Sequence, residues 1–243
     1  MGNRLLAALP APEQQRLAPF LEDVVLRVRQ SLIERGEPIE YVYFPIGAVT
    51  SSLIELGEGD SVEVGLMGAE GFVGLPLLYG EPVSNMTVIA QIAGSSMRMR
   101  ADDFRREVVE RDTPAWRIFL RFANAFFTTV AQLSACNASH DVQSRFARWL
   151  LMVHDRVGRD EFPLTQEFAG LMLGVRRATV THAAGGLRTA GAIEYETGRF
   201  FVRHRPTLVK AACSCYPAVT NAMDSLFASF TVERGPPHAS RVR

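Results

Sequence analysis

Apolar residues change their spacing along the chain, and each change marks a new element. In residues 1–23, Leu5, Leu6 and Leu9 precede Pro10, and Leu17, Phe20 and Leu21 follow it at roughly helical intervals, which predicts a short helical lead-in. Residues 24–99 instead show short apolar runs at 32–33, 41–44, 49–56, 62–67, 87–92 and 96–99, punctuated by glycines such as Gly36, Gly57, Gly68 and Gly80. Many short strands between turn residues point to an all-β roll or barrel. After Ala101 the helical interval returns. Asp102 and Asp103 fall in a first turn, where the helix dipole favours carboxylates, and Pro114 suits the opening turn of a longer helix. Along it Trp116, Phe119, Leu120, Ala123, Phe126, Phe127, Val130 and Leu133 form a broad apolar stripe. One face of such a helix packs on the β-region, and the other suits a partner helix across a two-fold axis. Trp116, Leu120, Phe127 and Val130 are assigned to that dimer face, although a purely intrachain core helix would carry the same stripe. A further helix is expected from Asp141, with Phe146, Trp149, Leu150 and Val153 inward and a break at 157–162, so residues 137–141 form the expected hinge.

The segment 164–187 carries the most specific spacing. Thr165 caps a predicted helix ending at Leu173, with Glu167 in its first turn. Gly174 supplies the turn, and a second helix runs from Arg177 to Thr189. Gly170 allows close helix approach, and Val180 plugs the angle between helices that Phe168, Leu171, Met172, Ala183, Ala184 and Leu187 line. That is helix-turn-helix spacing, with Gly170, Gly174, Val180 and Leu187 as its core markers. Two short runs around Thr197-Gly198 predict a hairpin wing beside it. With Val180 and Ala184 inward, the outward set on the second helix is Arg177, Ala178, Thr181 and His182, the candidate base readers in a major groove. Arg177 leads them because a guanidinium fits guanine bidentately. Thr165, Gln166, Arg176 and Thr179 are the candidate phosphate contacts. Arg176 stands where a Ser or Asp cap is expected.

Charge sharpens this division. The 243 residues balance to zero overall, yet residues 1–140 hold 12 basic against 17 acidic side chains and residues 141–243 hold 14 against 9. A basic C-terminal half fits a polyanionic partner. With 47% apolar residues, the chain has core material for one to two domains. No apolar run approaches the roughly 20 residues that cross a bilayer, and the N-terminal apolar run is too brief for a secretory signal, so a cytoplasmic protein with no membrane partner is expected. Three cysteines, Cys136, Cys213 and Cys215, make no disulfide framework.

The helix-turn-helix with its wing, together with Leu32-Ile33-Glu34-Arg35-Gly36-Glu37-Pro38, Val42-Tyr43-Phe44-Pro45 and Glu70-Gly71-Phe72-Val73-Gly74, resembles the Crp/Fnr family of transcription regulators over essentially the whole chain. The resemblance implies an α+β protein: an N-terminal double-stranded β-helix (a jelly-roll-like, cyclic-nucleotide-binding-like β-roll) over residues 1–110, a dimerisation helix and hinge over 111–140, and a winged helix-turn-helix domain over 141–234. Residues 235–243 are expected to be a flexible tail. It further implies a homodimer on near-palindromic double-stranded DNA, with RNA polymerase as a frequent second partner.

Departures from the family pattern matter as much. Nucleotide-binding members place a Gly-Glu pair before an Arg-Ser or Arg-Thr pair, whereas here those positions fall on Gly74-Leu75 and on Ser84, Asn85 and Met86. No arginine lies between Arg35 and Arg98, and a buried phosphate without a cation is a costly desolvated charge. Cyclic AMP in the usual mode is therefore not expected, and this degenerate pocket is left to an unidentified small-molecule effector or to none. The absence of cysteine before Cys136 removes the N-terminal iron–sulfur ligands of oxygen-sensing relatives. Ala178 replaces the typical glutamate after the reading arginine, and His182 a later arginine, so operator preference should shift. The five histidines are scattered, no metal set with acids is evident in the roll, and neither metal, cofactor nor enzymatic activity is predicted. The competing reading is a ligand-binding or protein-interaction module that binds DNA only non-specifically.

Overall fold

The computed structural model describes residues 2–57 and 60–233; the expected tail at 235–243 lies outside the described residues. Two short helices open the chain, α1 (Arg4–Ala8) and α2 (Ala11–Leu17). Asn3 fixes their place. Its Oδ1 accepts from the Leu6 N–H as a helix cap, and its amide donates to the carbonyls of Pro45 and Gly71, both at 2.8 Å. A buried amide is thus satisfied while it pins α1 against the β-region.

Seven strands follow: β1 (Glu22–Leu26), β2 (Ser31–Ile33), β3 (Tyr41–Pro45), β4 (Val49–Gly57), β5 (Asp60–Met67), β6 (Thr87–Ile92) and β7 (Gly94–Arg100). They form two antiparallel sheets, of order β1-β7-β3 and β2-β6-β4-β5. Among the described residues no closed barrel forms, so the all-β expectation holds as two separate sheets. β1 lies where the helical lead-in was expected to end. Its Val24-Val25-Leu26 pairs with 94–96 on β7 as an edge strand, with Val25 left exposed, and such an edge lacks the clean alternation that marks a half-buried strand.

A short helix α3 (Ala101–Phe104) runs through one π-turn at Arg105–Val109 toward the long α4 (Pro114–Ser139), which Thr113 caps by accepting from the Trp116 N–H. The inner face of α4 lays Phe119 and Phe122 onto Phe72, whose ring also meets Phe44 and Phe104, all with centroids 5.0–5.8 Å from it. A Cβ at Gly71 would collide with Phe122 and Met67, so this glycine is required by close packing.

Next come α5 (Val142–Val157), β8 (Glu161–Pro163), α6 (Gln166–Leu173), α7 (Arg177–Thr189), β9 (Ile193–Glu196), β10 (Arg199–Val202), α8 (Arg205–Ala211) and α9 (Cys215–Glu233). Asp141 caps α5 by accepting from the Ser144 N–H, and Gly158 ends it in the left-handed conformation. α9 begins against the C-terminal core with Tyr216 and Val219, then runs back antiparallel to α4, placing Met223, Leu226 and Phe230 in the N-terminal core. Although it falls within the segment 141–234 expected to form the C-terminal domain, α9 thus gives Leu226 and Phe230 to the N-terminal core.

α5 also joins the two halves. Val49, Leu53, Leu66 and Ile92 share one apolar cluster with Phe146, Trp149 and Leu150. Polar bonds cross the same junction: the Trp149 Nε1–H donates to Glu63 at 2.8 Å, and Arg156 pairs with Glu70 at 2.7 Å. Burial pushes the Glu63 carboxyl up to about 7, against the lowering effect of its hydrogen bonds and of Arg148 and Arg156. None of the helices is long and apolar enough to cross a membrane among the described residues.

Candidate nucleic-acid interface

The helix-turn-helix is built by local chemistry. Thr165 Oγ1 accepts from the Phe168 N–H and starts α6; Gly174, at φ +63°, ends it. A Cβ at Gly170 would lie 2.8 Å from the Val175 carbonyl, while the Val175 N–H donates to the Gly170 carbonyl at 2.9 Å. The turn therefore closes because no side chain separates the two segments. Val180, Ala184 and Leu187 are wholly buried between the helices.

That burial dictates what faces out. Arg177, Ala178, Thr181 and His182 are exposed along α7, and Arg176 and Thr179 are exposed at its N-terminal end. Arg176 occupies the cap position without a side-chain cap bond. Neither guanidinium of Arg176-Arg177 has a hydrogen-bond or ion-pair partner among the described residues. Their charge adds to the positive end of the helix dipole, an arrangement suited to an anion.

Thr165, Gln166 and Arg177 line a groove of about 510 Å³ whose other wall is Tyr195, Glu196, Thr197 and Gly198 at the wing tip. Three strands, ordered β8-β10-β9, hold that wing. Arg199 pairs with Glu161 across the sheet at 2.7 Å, and Arg188 of α7 lies 5.0 Å from the Tyr195 ring centre. The Thr181 hydroxyl is within bonding reach of Gln166 Oε1 (2.6 Å) and of the Arg177 carbonyl (3.1 Å), its single proton serving one at a time. A candidate base reader and a candidate phosphate contact are thus coupled, which spacing alone did not reveal.

The other sites separate. Gly74 adopts φ +122° against Val42. Ser84 is buried, and its hydroxyl is engaged within its own loop, donating to the Met86 carbonyl at 2.8 Å and accepting from the Met86 N–H at 3.1 Å. Leu75, Asn85 and Met86 line a groove of about 500 Å³ beside α4 with Tyr79, Phe127 and Val130; its lining includes Glu81 and no cation. Of the dimer-face residues, Phe127 is 69% exposed, while Trp116, Leu120 and Val130 are half-buried.

One constellation went unseen in sequence. Cys136 lies on the last turn of α4 and His140 is the residue that ends it, while Cys213 lies on the link from α8 and Cys215 opens α9; their four ligand atoms lie within 4.8 Å of one another. Cys136 Sγ is 3.4 Å from Cys213 Sγ, and Cys215 Sγ is 3.6 Å from His140 Nδ1. Burial pushes the Cys136 thiol up to about 12. The available signal was the four-residue spacing of Cys136 and His140 at a helix end, where the His140 N–H still donates to the Cys136 carbonyl at 3.0 Å.

Residues 144–211 match the family model of the Crp-like helix-turn-helix domain. No match was found among curated proteins. Solved structures give likeness of fold. FixK2 from Bradyrhizobium japonicum is 18% identical at a TM-score of 0.68, over 80% of this chain and 98% of that one. A putative transcriptional regulator of the Crp/Fnr family from Eubacterium rectale is 14% identical at 0.67, over 85% and 96%. A transcriptional regulator of the CRP family from Thermus thermophilus is 18% identical at 0.65, over 78% and 96%.

Proposed function

We propose that the chain, whose C-terminal segment matches the Crp-like helix-turn-helix model and whose fold is that of Crp/Fnr regulators, is a sequence-specific DNA-binding transcription regulator of that family, acting as a dimer on near-palindromic sites. The observation that carries this reading is the pair of guanidiniums, Arg176 and Arg177, unpaired among the described residues, at the exposed N-terminal end of α7 beside Thr165, Gln166 and the wing tip. Arg177 and His182 read base edges in the major groove, with Ala178 and Thr181 flanking them. Arg176, Thr165, Gln166 and Thr179 hold phosphates and set the register.

The dimer is supported by apolar exposure along one side of α4. Phe127, Tyr79 and Val83 are 69%, 61% and 40% exposed around one groove, and a second copy of α4 would cover them. In the sensor half the two sheets act as the β-roll, and the groove lined by Leu75, Asn85 and Met86 lacks the cation that a cyclic phosphate requires. An effector for that groove would be largely apolar. Contact with RNA polymerase rests on the family resemblance alone.

The test is sequencing of genomic DNA fragments retained by the purified protein at moderate salt, beside Arg177→Ala. A two-fold symmetric motif that the variant fails to enrich is the expected result. Retention without any motif by both proteins would favour a ligand-binding or interaction module with residual electrostatic affinity.

A further inference from the structure

We propose that Cys136, His140, Cys213 and Cys215 form a mononuclear, four-coordinate site for a zinc-class divalent ion, tying the end of α4 to the α8–α9 link. The geometry is that of a small tetrahedron. Zn–S bonds of about 2.3 Å and Zn–N bonds of about 2.0–2.1 Å set tetrahedral edges of about 3.8 Å between sulfurs and about 3.6 Å between sulfur and nitrogen. The Cys136–Cys213 and Cys215–His140 separations of 3.4 and 3.6 Å approach those edges, and every other pair lies within 4.8 Å. A polynuclear iron–sulfur cluster would interpose several irons and sulfides, and needs its thiolates farther apart. Three sulfurs and one imidazole are the donor set of closed structural zinc sites.

Charge supports the same assignment independently. The guanidiniums of Arg145 and Arg148 are buried beside these cysteines. Arg145 donates to Asn137 Oδ1 and to the Leu173 carbonyl, and Arg148 to Met152 Sδ, while Arg148 Nε has no partner among the described residues. Neither is hydrogen-bonded or ion-paired to a carboxylate among the described residues; Glu63 and Asp141 act on Arg148 and Arg145 only through space, Glu63 bonding Trp149 and Asp141 capping α5. Buried cations without a counter-charge in contact are costly. A divalent ion with three thiolates carries a net charge of minus one and supplies that counter-charge. The Gln132 side-chain amide, donating to Cys215 Sγ at 3.1 Å, is the kind of outer partner that orients a thiolate ligand.

Binding moves protons and no electrons: the three thiols release their protons to solvent as the metal–sulfur bonds form, and His140 coordinates as the neutral ring. The test uses the full chain, purified under reducing conditions with zinc present and then desalted. Elemental analysis should find about one zinc per chain. Cobalt(II) added to the chelator-stripped protein should give the intense visible bands and thiolate charge-transfer absorption of a tetrahedral thiolate site. Cys215→Ser should abolish both. Should that variant fold poorly by circular dichroism, His140→Ala, at a partly exposed ligand, keeps the test open. It should weaken zinc binding by at least about tenfold, since even outer partners of metal ligands are worth roughly that much. Wild-type protein that retains no zinc and gives only the pale spectrum of hydrated cobalt, or that yields a Cys136–Cys213 disulfide from reducing preparations, would overturn the proposal. Neither failure touches the DNA-binding reading, whose residues lie on α6 and α7 and at their N-terminal caps.

Discussion

Glu63 is the group through which pH should act on the junction between the two halves. Its carboxyl is buried, with one oxygen bonded to Trp149 and Oε2 without a partner. Folding raises it from the ordinary 4.5 to about 7, chiefly by desolvation. A raised carboxyl means that the native state holds the proton more tightly than the unfolded chain. The contribution is therefore fully present below pH 4.5, is lost as pH rises toward about 7, and changes no further at higher pH. Each tenfold change in proton affinity is worth about 1.4 kcal/mol, so the loss across this window is about 3 kcal/mol. Glu63→Gln keeps the shape and the acceptor for Trp149 while removing the titration. Urea denaturation followed by tryptophan fluorescence, at half-unit steps from pH 4.5 to 8.5, should show wild type and variant converging at the acid end. At the alkaline end the variant should be more stable by about 3 kcal/mol, a midpoint difference of about 1 M urea. A difference between the two that stays flat with pH would refute the reasoning, because Arg148, Arg156 and Trp149 would then be sufficient to keep the carboxylate ionised at no cost.

Other outcomes are expected. Arg177→Ala should weaken binding to the enriched motif by about 1–3 kcal/mol, roughly 5- to 150-fold, with discrimination lost at one position of each half-site, while Arg176→Ala weakens all sequences alike and lowers the salt slope by about one; fluorescence anisotropy at several salt concentrations separates the two. Gly170→Ala, whose new Cβ would sit 2.8 Å from the Val175 carbonyl, should cost about 1–3 kcal/mol, read as a lower unfolding midpoint; an unchanged midpoint would mean that the turn opens freely. Phe127→Glu, at a 69% exposed site, should leave circular dichroism unchanged and convert dimer to monomer in sedimentation velocity. A dimer that persists would place the two-fold contact elsewhere.

The bounds of the helix-turn-helix were legible because its determinants are local, although Leu171, expected in the lining between the helices, is 36% exposed. Thr165, Gly170, Gly174 and Val180 each act through neighbours a few positions away, and α7 spans the predicted Arg177 to Thr189. The strands of the sensor half were legible where glycines bounded them. β1 and β8 were missed, one an irregular edge and the other three residues long, too short for a period to register. α8 was passed over as well. On α4 the stripe was visible but its division was not: Phe126 is buried and its neighbour Phe127 exposed, a distinction set by what packs against each face. The Cys136–Cys213 contact spans 77 positions, and only the return of the chain after α8 brings its members together.

The most direct measurement of the central claim is a salt titration of binding to the enriched motif against a shuffled duplex of the same length. Specific reading by α7 predicts a motif preference of at least about a thousandfold at physiological salt, with both affinities falling in parallel as salt rises. Equal affinity for the two duplexes, vanishing together with salt, would contradict a sequence-specific regulator and leave only electrostatic attraction to the basic half.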